Sequence, residues 1–207
     1  MDRDARPSEE LRARAIRLEW ATNAWNGVEV VVTITLGVLA GSLALVAFGL
    51  DSLIEVFAST VVIWRLESTA PDPGDARTHR SLRLIAVAFF VLAAYLAVAS
   101  VRSLVLGEQP EASPLGIVYM VITTVAMFAL ATWKRRVARA LESEALDREA
   151  EVTYLDSALS LGVLAALVVD PLLGWWWADA VAACAVGLYA AYAGITCWRQ
   201  GAPHEPV

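Results

Sequence analysis

The chain has 207 residues, a formal net charge of −6 and a hydrophobic fraction of 58%, with only 18% charged residues. Soluble domains average about 45–50% apolar and about 25% charged residues. This composition excludes a disordered chain and a nucleic-acid-binding protein that depends on bulk positive charge. It also argues against a soluble globule, because so few polar residues could not cover that much apolar surface. We therefore expect an all-α protein, a bundle of transmembrane helices in a lipid bilayer.

Apolar runs of about 20 residues are long enough to cross a bilayer as a helix. The sequence contains six such runs, and we expect a tight turn at Ala40-Gly41 between the first two. A connector around Pro171 and Gly174 is expected to separate the last two. The predicted spans, in chain order, are residues 18–39, 42–64, 84–106, 114–133, 150–169 and 172–198.

Positive charges fall in alternate connections between the predicted spans. All 16 Lys and Arg residues except Arg102 lie in the N-terminal segment, the second loop, the fourth loop or the tail. Cytoplasmic loops of membrane proteins are enriched in Lys and Arg, so both termini are predicted to be cytoplasmic. The chain is thereby divided into a cytoplasmic segment (residues 1–17), a six-span transmembrane domain (18–198) and a short cytoplasmic tail (199–207). Its strong preference for Arg over Lys, with abundant Ala, indicates a bacterial source, and hence a multi-pass protein of the plasma (inner) membrane.

Four carboxylates are predicted to lie at membrane depth, away from the ends of the spans, where charge without a partner is costly. Glu29 lies in the middle of the first span, and Asp156 lies in the cytoplasmic half of the fifth. Asp51 and Glu55 lie in the second span, and their i,i+4 spacing puts both on one helix face. No Lys, Arg or His is predicted at comparable depth, so these acids must be protonated or share a cation. A divalent cation is the expected partner, because carboxylate oxygens can replace the water that it loses.

A structural role stays open for some of these acids. Glu29 or Asp156, taken alone, could be a protonated group that holds the bundle together by hydrogen bonds. That role fits the Asp51 and Glu55 pair less well, because two acids one turn apart repel each other unless a cation bridges them. Asp179, near the outer end of the sixth span, is explained by interface solvation or helix capping. No motif for ATP or peptide hydrolysis occurs, so we expect neither an enzyme nor a prosthetic group.

Two stretches resemble the cation diffusion facilitator family. Residues 41–59, GSLALVAFGLDSLIEVFAS, are similar to that family's second helix, which begins Gly-Ser-Leu-Ala-Leu and carries a His or Asp followed four residues later by an Asp. Residues 149–163, EAEVTYLDSALSLGV, are similar to its fifth helix, where the pattern is acid-Ala-x-His-x-x-x-Asp. By this resemblance Asp51, Glu55 and Asp156 take ligand positions, with one extra methylene at Glu55. The family's His position is occupied by Val152.

The resemblance implies a homodimer that exports a divalent metal in exchange for protons, by alternating access. It also implies zinc, manganese or a similar ion as the transported cation, and a ligand set made only of oxygen favours harder ions such as manganese. Glu29 is our own candidate for a fourth ligand, since the family has none on the first helix. Nine residues follow the last predicted span, so we expect the transmembrane domain without the family's usual C-terminal cytoplasmic domain. The alternative is a non-transporting membrane scaffold or partner subunit of the same fold.

Overall fold

The helices of the bundle lie close to the predicted spans. The computed structural model describes residues 5–67, 76–141 and 144–200, and within them it contains six α-helices and no strand. The all-α prediction is therefore confirmed. The helices are α1 (Ala5–Ala40), α2 (Leu43–Glu67), α3 (Ala76–Leu106), α4 (Pro114–Leu141), α5 (Glu144–Leu173) and α6 (Trp177–Gln200).

Five of the helices contain a segment that is long and apolar enough to cross a membrane. These segments are Ile16–Ala40, Leu82–Leu106, Pro114–Ala140, Ala150–Leu173 and Trp177–Gln200. The second predicted span lies on α2, but the side chains of residues 58, 59 and 61–67 lie outside the described residues. Large apolar side chains such as Val31, Val98 and Leu188 are more than 60% exposed on the outside of the bundle, as expected of a surface that contacts lipid.

Three tight connections lie at one end of the bundle, which we call the tight-turn end. Each contains a glycine with a positive φ angle, namely Gly41 (65°), Gly107 (64°) and Gly174 (68°). Glycine has no Cβ and adopts this left-handed conformation at little steric cost. The turn predicted at Ala40-Gly41 is confirmed, since α1 ends at Ala40 and α2 begins at Leu43. The loop between α3 and α4 contacts this turn, because the Glu111 N–H donates to the Ala40 carbonyl (2.7 Å).

The predicted boundary between the last two spans is wrong by several residues. We expected the fifth span to end at 169 and the sixth to begin at 172, whereas Pro171 lies inside α5 and α6 begins at Trp177. The helix ends at Leu173, and the next residue, Gly174, donates its N–H to the Asp170 carbonyl (2.8 Å) while its positive φ turns the chain away.

The helices also extend past the membrane segments at the opposite end, which we call the basic end. Residues placed in loops by the apolar pattern, such as Arg135 and Arg139, lie on α4. The α1 helix is continuous from Ala5, so it begins before the first predicted span, which starts at residue 18. The second loop is shorter than predicted, since α3 begins at Ala76. The Pro71–Gly74 turn and residues 201–207 of the tail lie outside the described residues.

The α2 helix has a central place in the bundle, in contact with α1, α3, α5 and α6. Its buried apolar residues Leu45 and Phe48 join a core that α3 to α6 complete. Against α1 the approach is closer: a Cβ added to Gly49 would lie 2.7 Å from Ile34 Cγ1 and would overlap the Thr33 hydroxyl. Such small-residue contacts bring membrane helices together, and here they fix the position of the helix that carries Asp51 and Glu55.

Candidate metal centre

Three of the four predicted site residues converge. Asp51 and Glu55 extend from successive turns of α2, Asp156 extends from α5, and one oxygen of each lies within 4.8 Å of the other two. A zinc ion holds carboxylate oxygens at about 2.0–2.2 Å, so oxygens that share one are separated by about 3–4 Å. The three side chains therefore need only a small inward movement to share a divalent ion.

The burial of these carboxylates fits a cation better than it fits packing. Asp51 is 1% exposed and Asp156 is 2% exposed. Both Oδ atoms of Asp51 and Oδ2 of Asp156 are buried without a hydrogen-bond partner among the described residues. Unpaired polar atoms of this kind are costly to bury, and a carboxylate more so than a neutral group. A bound divalent ion would satisfy all three oxygens at once.

Glu29 lies beside this group rather than in it. Its side chain is fully buried on α1, and its Oε1 accepts hydrogen bonds from Thr123 Oγ1 (2.6 Å) and Trp25 Nε1 (3.0 Å). Its Oε2 accepts one from Ser52 Oγ (3.2 Å). These three donors fix the position of the Glu29 carboxylate beside α2 and α4. Its role as a fourth ligand stays a prediction.

One base that the sequence placed in a loop is buried in the bundle, where it bonds to Glu19 and Thr153 rather than to one of the four acids. Lys134 on α4 is 1% exposed, and its ammonium donates to Glu19 Oε2 (3.0 Å) and to Thr153 Oγ1 (3.3 Å). Thr153 precedes Asp156 by three residues, about one turn of α5. The apolar pattern placed Lys134 in a loop because the apolar run ends at Trp133. In the structure α4 continues to Leu141 and carries Lys134 between α1 and α5.

Sequence reasoning missed a line of polar residues that faces the bundle interior, which we call the α1 polar stripe: Asn23, Asn26, Glu29 and Thr33. All four are buried, whereas neighbours such as Val28 and Val31 are exposed. Their spacing of three or four residues is the helical period, so the stripe could have been found by following polar rather than apolar residues along α1. One member contacts the site directly, since Asn26 Nδ2 donates to Glu55 Oε2 (3.1 Å).

Val152, the residue at the family's His position, is less buried than Asp51 and Asp156. Val152 is 40% exposed, although Asp156 one turn later is buried. Its side chain has no metal-binding atom. Among the described residues, the converging group is therefore made of carboxylates alone.

Comparison with known proteins agrees with this arrangement of helices. Residues 81–202, more than half of the chain, match the family model of the cation efflux transmembrane domain. The chain belongs to the cation efflux family. The match covers most of α3 and the whole of α4 to α6, while the motif with Asp51 and Glu55 lies on α2, before it. The resemblance predicted from the motifs on α2 and α5 is thus confirmed at the level of the family.

Individual cation efflux relatives are more distant. The chain is 28% identical over 162 residues to the cation-efflux pump FieF of Klebsiella pneumoniae, a match that covers 75% of this chain and 54% of that protein. It is 26% identical over 160 residues to FieF of Salmonella typhi, with coverage of 75% and 53%. It is 25% identical over 170 residues to an uncharacterized transporter of Synechocystis sp., with coverage of 78% and 54%. The chain spans about half the length of these curated relatives.

Proposed function

We propose that the protein transports divalent metal cations across the membrane, with Asp51, Glu55 and Asp156 holding the ion as cargo near the middle of the bundle. The observation that carries this proposal is the convergence of three buried or half-buried carboxylates, from two helices, to within 4.8 Å. Membership of the cation efflux family supports it, as do relatives that are named cation-efflux pumps. The activity is that of a transporter rather than an enzyme.

The chemistry of the three ligands favours manganese or zinc as the cargo. Carboxylate oxygens are hard ligands that suit manganese, and they also bind zinc. Val152 at the family's His position leaves the converging group without an imidazole, which zinc sites commonly contain. Manganese is therefore the first ion to test, and zinc is the second.

We further propose that transport is coupled to protons and directed out of the cell. Ligands of a metal must be deprotonated, so a metal that enters a carboxylate cluster displaces protons and protons displace the metal. The positive charges at the basic end support an orientation with both termini in the cytoplasm of a bacterial plasma membrane. The relatives' name, cation-efflux pump, supports export. A homodimer is proposed from the family resemblance.

Proteoliposomes that contain a metal-sensitive dye test this proposal. Under a pH gradient, the unaltered protein should move Mn²⁺ or Zn²⁺, and Asp51→Asn and Asp156→Asn should each abolish the movement. A matched control is Glu151→Gln, which removes an exposed acid from the same helix as Asp156 and should leave transport unchanged. Unchanged transport in both site variants would exclude the three-carboxylate site from the mechanism.

A non-transporting scaffold or partner subunit is the second candidate, and Val152 at the His position is the observation that favours it. The two candidates differ in metal binding. Calorimetry on the purified protein should give saturable Mn²⁺ or Zn²⁺ binding if the protein is a transporter. Absence of such binding, together with no gain of metal tolerance in sensitive cells that express the protein, would favour the scaffold.

A further inference from the structure

We propose that Asn26 of α1 is a positioning residue that orients Glu55 for metal binding. This inference rests on the proposed function and adds a residue of α1 to a site otherwise built from α2 and α5. The direct observation is the hydrogen bond from Asn26 Nδ2 to Glu55 Oε2 (3.1 Å). Carboxylates that bind metals are commonly held by hydrogen bonds of this kind, which fix their orientation.

The length of Glu55 explains why such a residue is needed. The family motif has an Asp at this position, and Glu55 has one more methylene and one more rotatable bond. Each additional torsion must be fixed in a single rotamer before the carboxylate can bind the ion, which costs conformational entropy. A donor on the facing helix that selects one rotamer removes part of this cost before the metal arrives.

The surroundings of Asn26 indicate that packing alone does not account for an amide at this position. Asn26 is 3% exposed, and its Oδ1 is buried without a hydrogen-bond partner among the described residues. An apolar side chain of similar shape would leave no polar atom unsatisfied. The hydrogen bond to Glu55 accounts for a buried amide at this position, where it is otherwise unfavourable. The orientation of the amide is also determined, because only the Nδ2 end can donate to a carboxylate oxygen.

The geometry of the α1–α2 hairpin makes this pairing specific. Along the two antiparallel helices, Glu29 receives a hydrogen bond from Ser52, and Asn26 donates to Glu55 one turn further from the connecting turn. Near that turn Gly49 lets the helices approach closely. The register of the hairpin therefore brings Asn26 to Glu55.

A double-mutant cycle on metal affinity tests the proposal, with Mn²⁺ as the probe and calorimetry on the full purified chain. Asn26→Ala should weaken Mn²⁺ binding by about 10-fold. This is the low end of the loss in metal affinity that follows when a residue hydrogen-bonded to a metal ligand is removed. In the Glu55→Asp background the same change should weaken binding less than about 2-fold, because the shorter carboxylate does not reach the amide. Asn23→Ala, which removes another buried amide of the α1 polar stripe, is the matched control and should change affinity less than about 2-fold.

The outcomes separate this inference from the proposed function. If the unaltered protein fails to bind Mn²⁺ or Zn²⁺ saturably, both are overturned. If it binds, but Asn26→Ala weakens binding by the same factor in both backgrounds or has no effect in either, only the positioning role of Asn26 is overturned. If Asn26→Ala fails to fold, Asn26→Leu replaces it, because Leu fills the volume of the amide but has no donor. This variant must then weaken Mn²⁺ binding when Glu55 is present and not in the Glu55→Asp background. The melting temperature of each variant is recorded.

Discussion

The carboxylate of Asp179 on α6 caps α2, whose first turn follows Ser42. Asp179 Oδ1 accepts from Ser42 Oγ (2.5 Å), and its Oδ2 accepts from the backbone N–H of Leu43 (2.7 Å) and of Ala44 (3.2 Å). The first N–H groups of a helix have no partner within it, and a carboxylate there also interacts favourably with the helix dipole. The Gly-Ser-Leu-Ala motif is thus the point at which α6 is joined to the helix that carries Asp51 and Glu55.

Removing this cap should destabilise the bundle without direct damage to the metal centre. We expect Asp179→Ala to cost about 1–2 kcal/mol, the usual value of a lost helix cap. A lower melting temperature in detergent checks this. The control is Asp170→Ala, which changes a half-buried acid near the same end of the bundle and should shift the melting temperature less. Equal shifts for the two variants would contradict the capping role.

The Glu19–Lys134 ion pair gives an asymmetric prediction. Lys134 is 1% exposed and Glu19 is 27% exposed, so Glu19→Gln leaves a buried ammonium without its charged partner. We expect Glu19→Gln to cost about 3 kcal/mol, and Lys134→Met to cost less, because the remaining Glu19 can reach solvent. Thermal unfolding of both single variants and of the double variant measures which substitution lowers the stability more.

The exposed Arg102–Glu108 pair at the tight-turn end provides the comparison. Glu108→Gln should cost at most about 1 kcal/mol, as expected for a surface ion pair. If Glu19→Gln were no more destabilising than Glu108→Gln, the Glu19–Lys134 pair would not stabilise the protein more than an exposed ion pair does, and the prediction would be contradicted.

Gly49 should tolerate no larger residue. A Cβ at this position would overlap the Thr33 hydroxyl and lie 2.7 Å from Ile34 Cγ1, so Gly49→Val should force α1 and α2 apart. We expect weaker Mn²⁺ binding together with a lower melting temperature, since the hairpin holds both Glu55 and Asn26. Gly162→Ala is the control: a Cβ there meets nothing within 4 Å, and the helix propensity of Ala exceeds that of Gly by about 1 kcal/mol. It should leave the protein unchanged or slightly more stable.

Metal affinity should fall as the pH is lowered. A metal can bind Asp51, Glu55 and Asp156 only when they are deprotonated, so protons and metal compete for the same oxygens. Calorimetry in buffers of different ionisation enthalpy should detect protons released on Mn²⁺ binding by the unaltered protein, and no such release in Asp156→Asn, which loses the ion. Affinity that is independent of pH, with no proton release, would remove the basis for proton coupling.

Apolar length was sufficient to predict the helices, and the resemblance to the family's second and fifth helices named the three acids that converge. The i,i+4 spacing of Asp51 and Glu55 is a local property, so one sequence is enough to place both on one face. Helix ends were harder, because a helix does not stop where its apolar run stops. Lys134 was placed in a loop for that reason, although α4 carries it into the interior.

Contacts between distant residues could not be predicted in the same way. Capping was among the roles considered for Asp179, but the helix that it caps begins 136 residues earlier in the chain, and only the packing of α2 against α6 brings them together. Asn26 was not predicted as a site residue, because the candidates in the sequence were charged side chains and Asn is neutral. Its importance depends on the register of the α1–α2 hairpin, which a turn at Gly41 alone does not specify.

Anomalous scattering from crystals grown with Mn²⁺ tests the central claim most directly, because it locates the ion independently of activity. We predict one strong peak between α2 and α5, with an oxygen of Asp51, Glu55 and Asp156 each within about 2.5 Å of the ion. The peak should be lost in Asp156→Asn and kept in Glu151→Gln. A peak elsewhere in the bundle, or none beside these three carboxylates at saturating Mn²⁺ or Zn²⁺, would contradict the account.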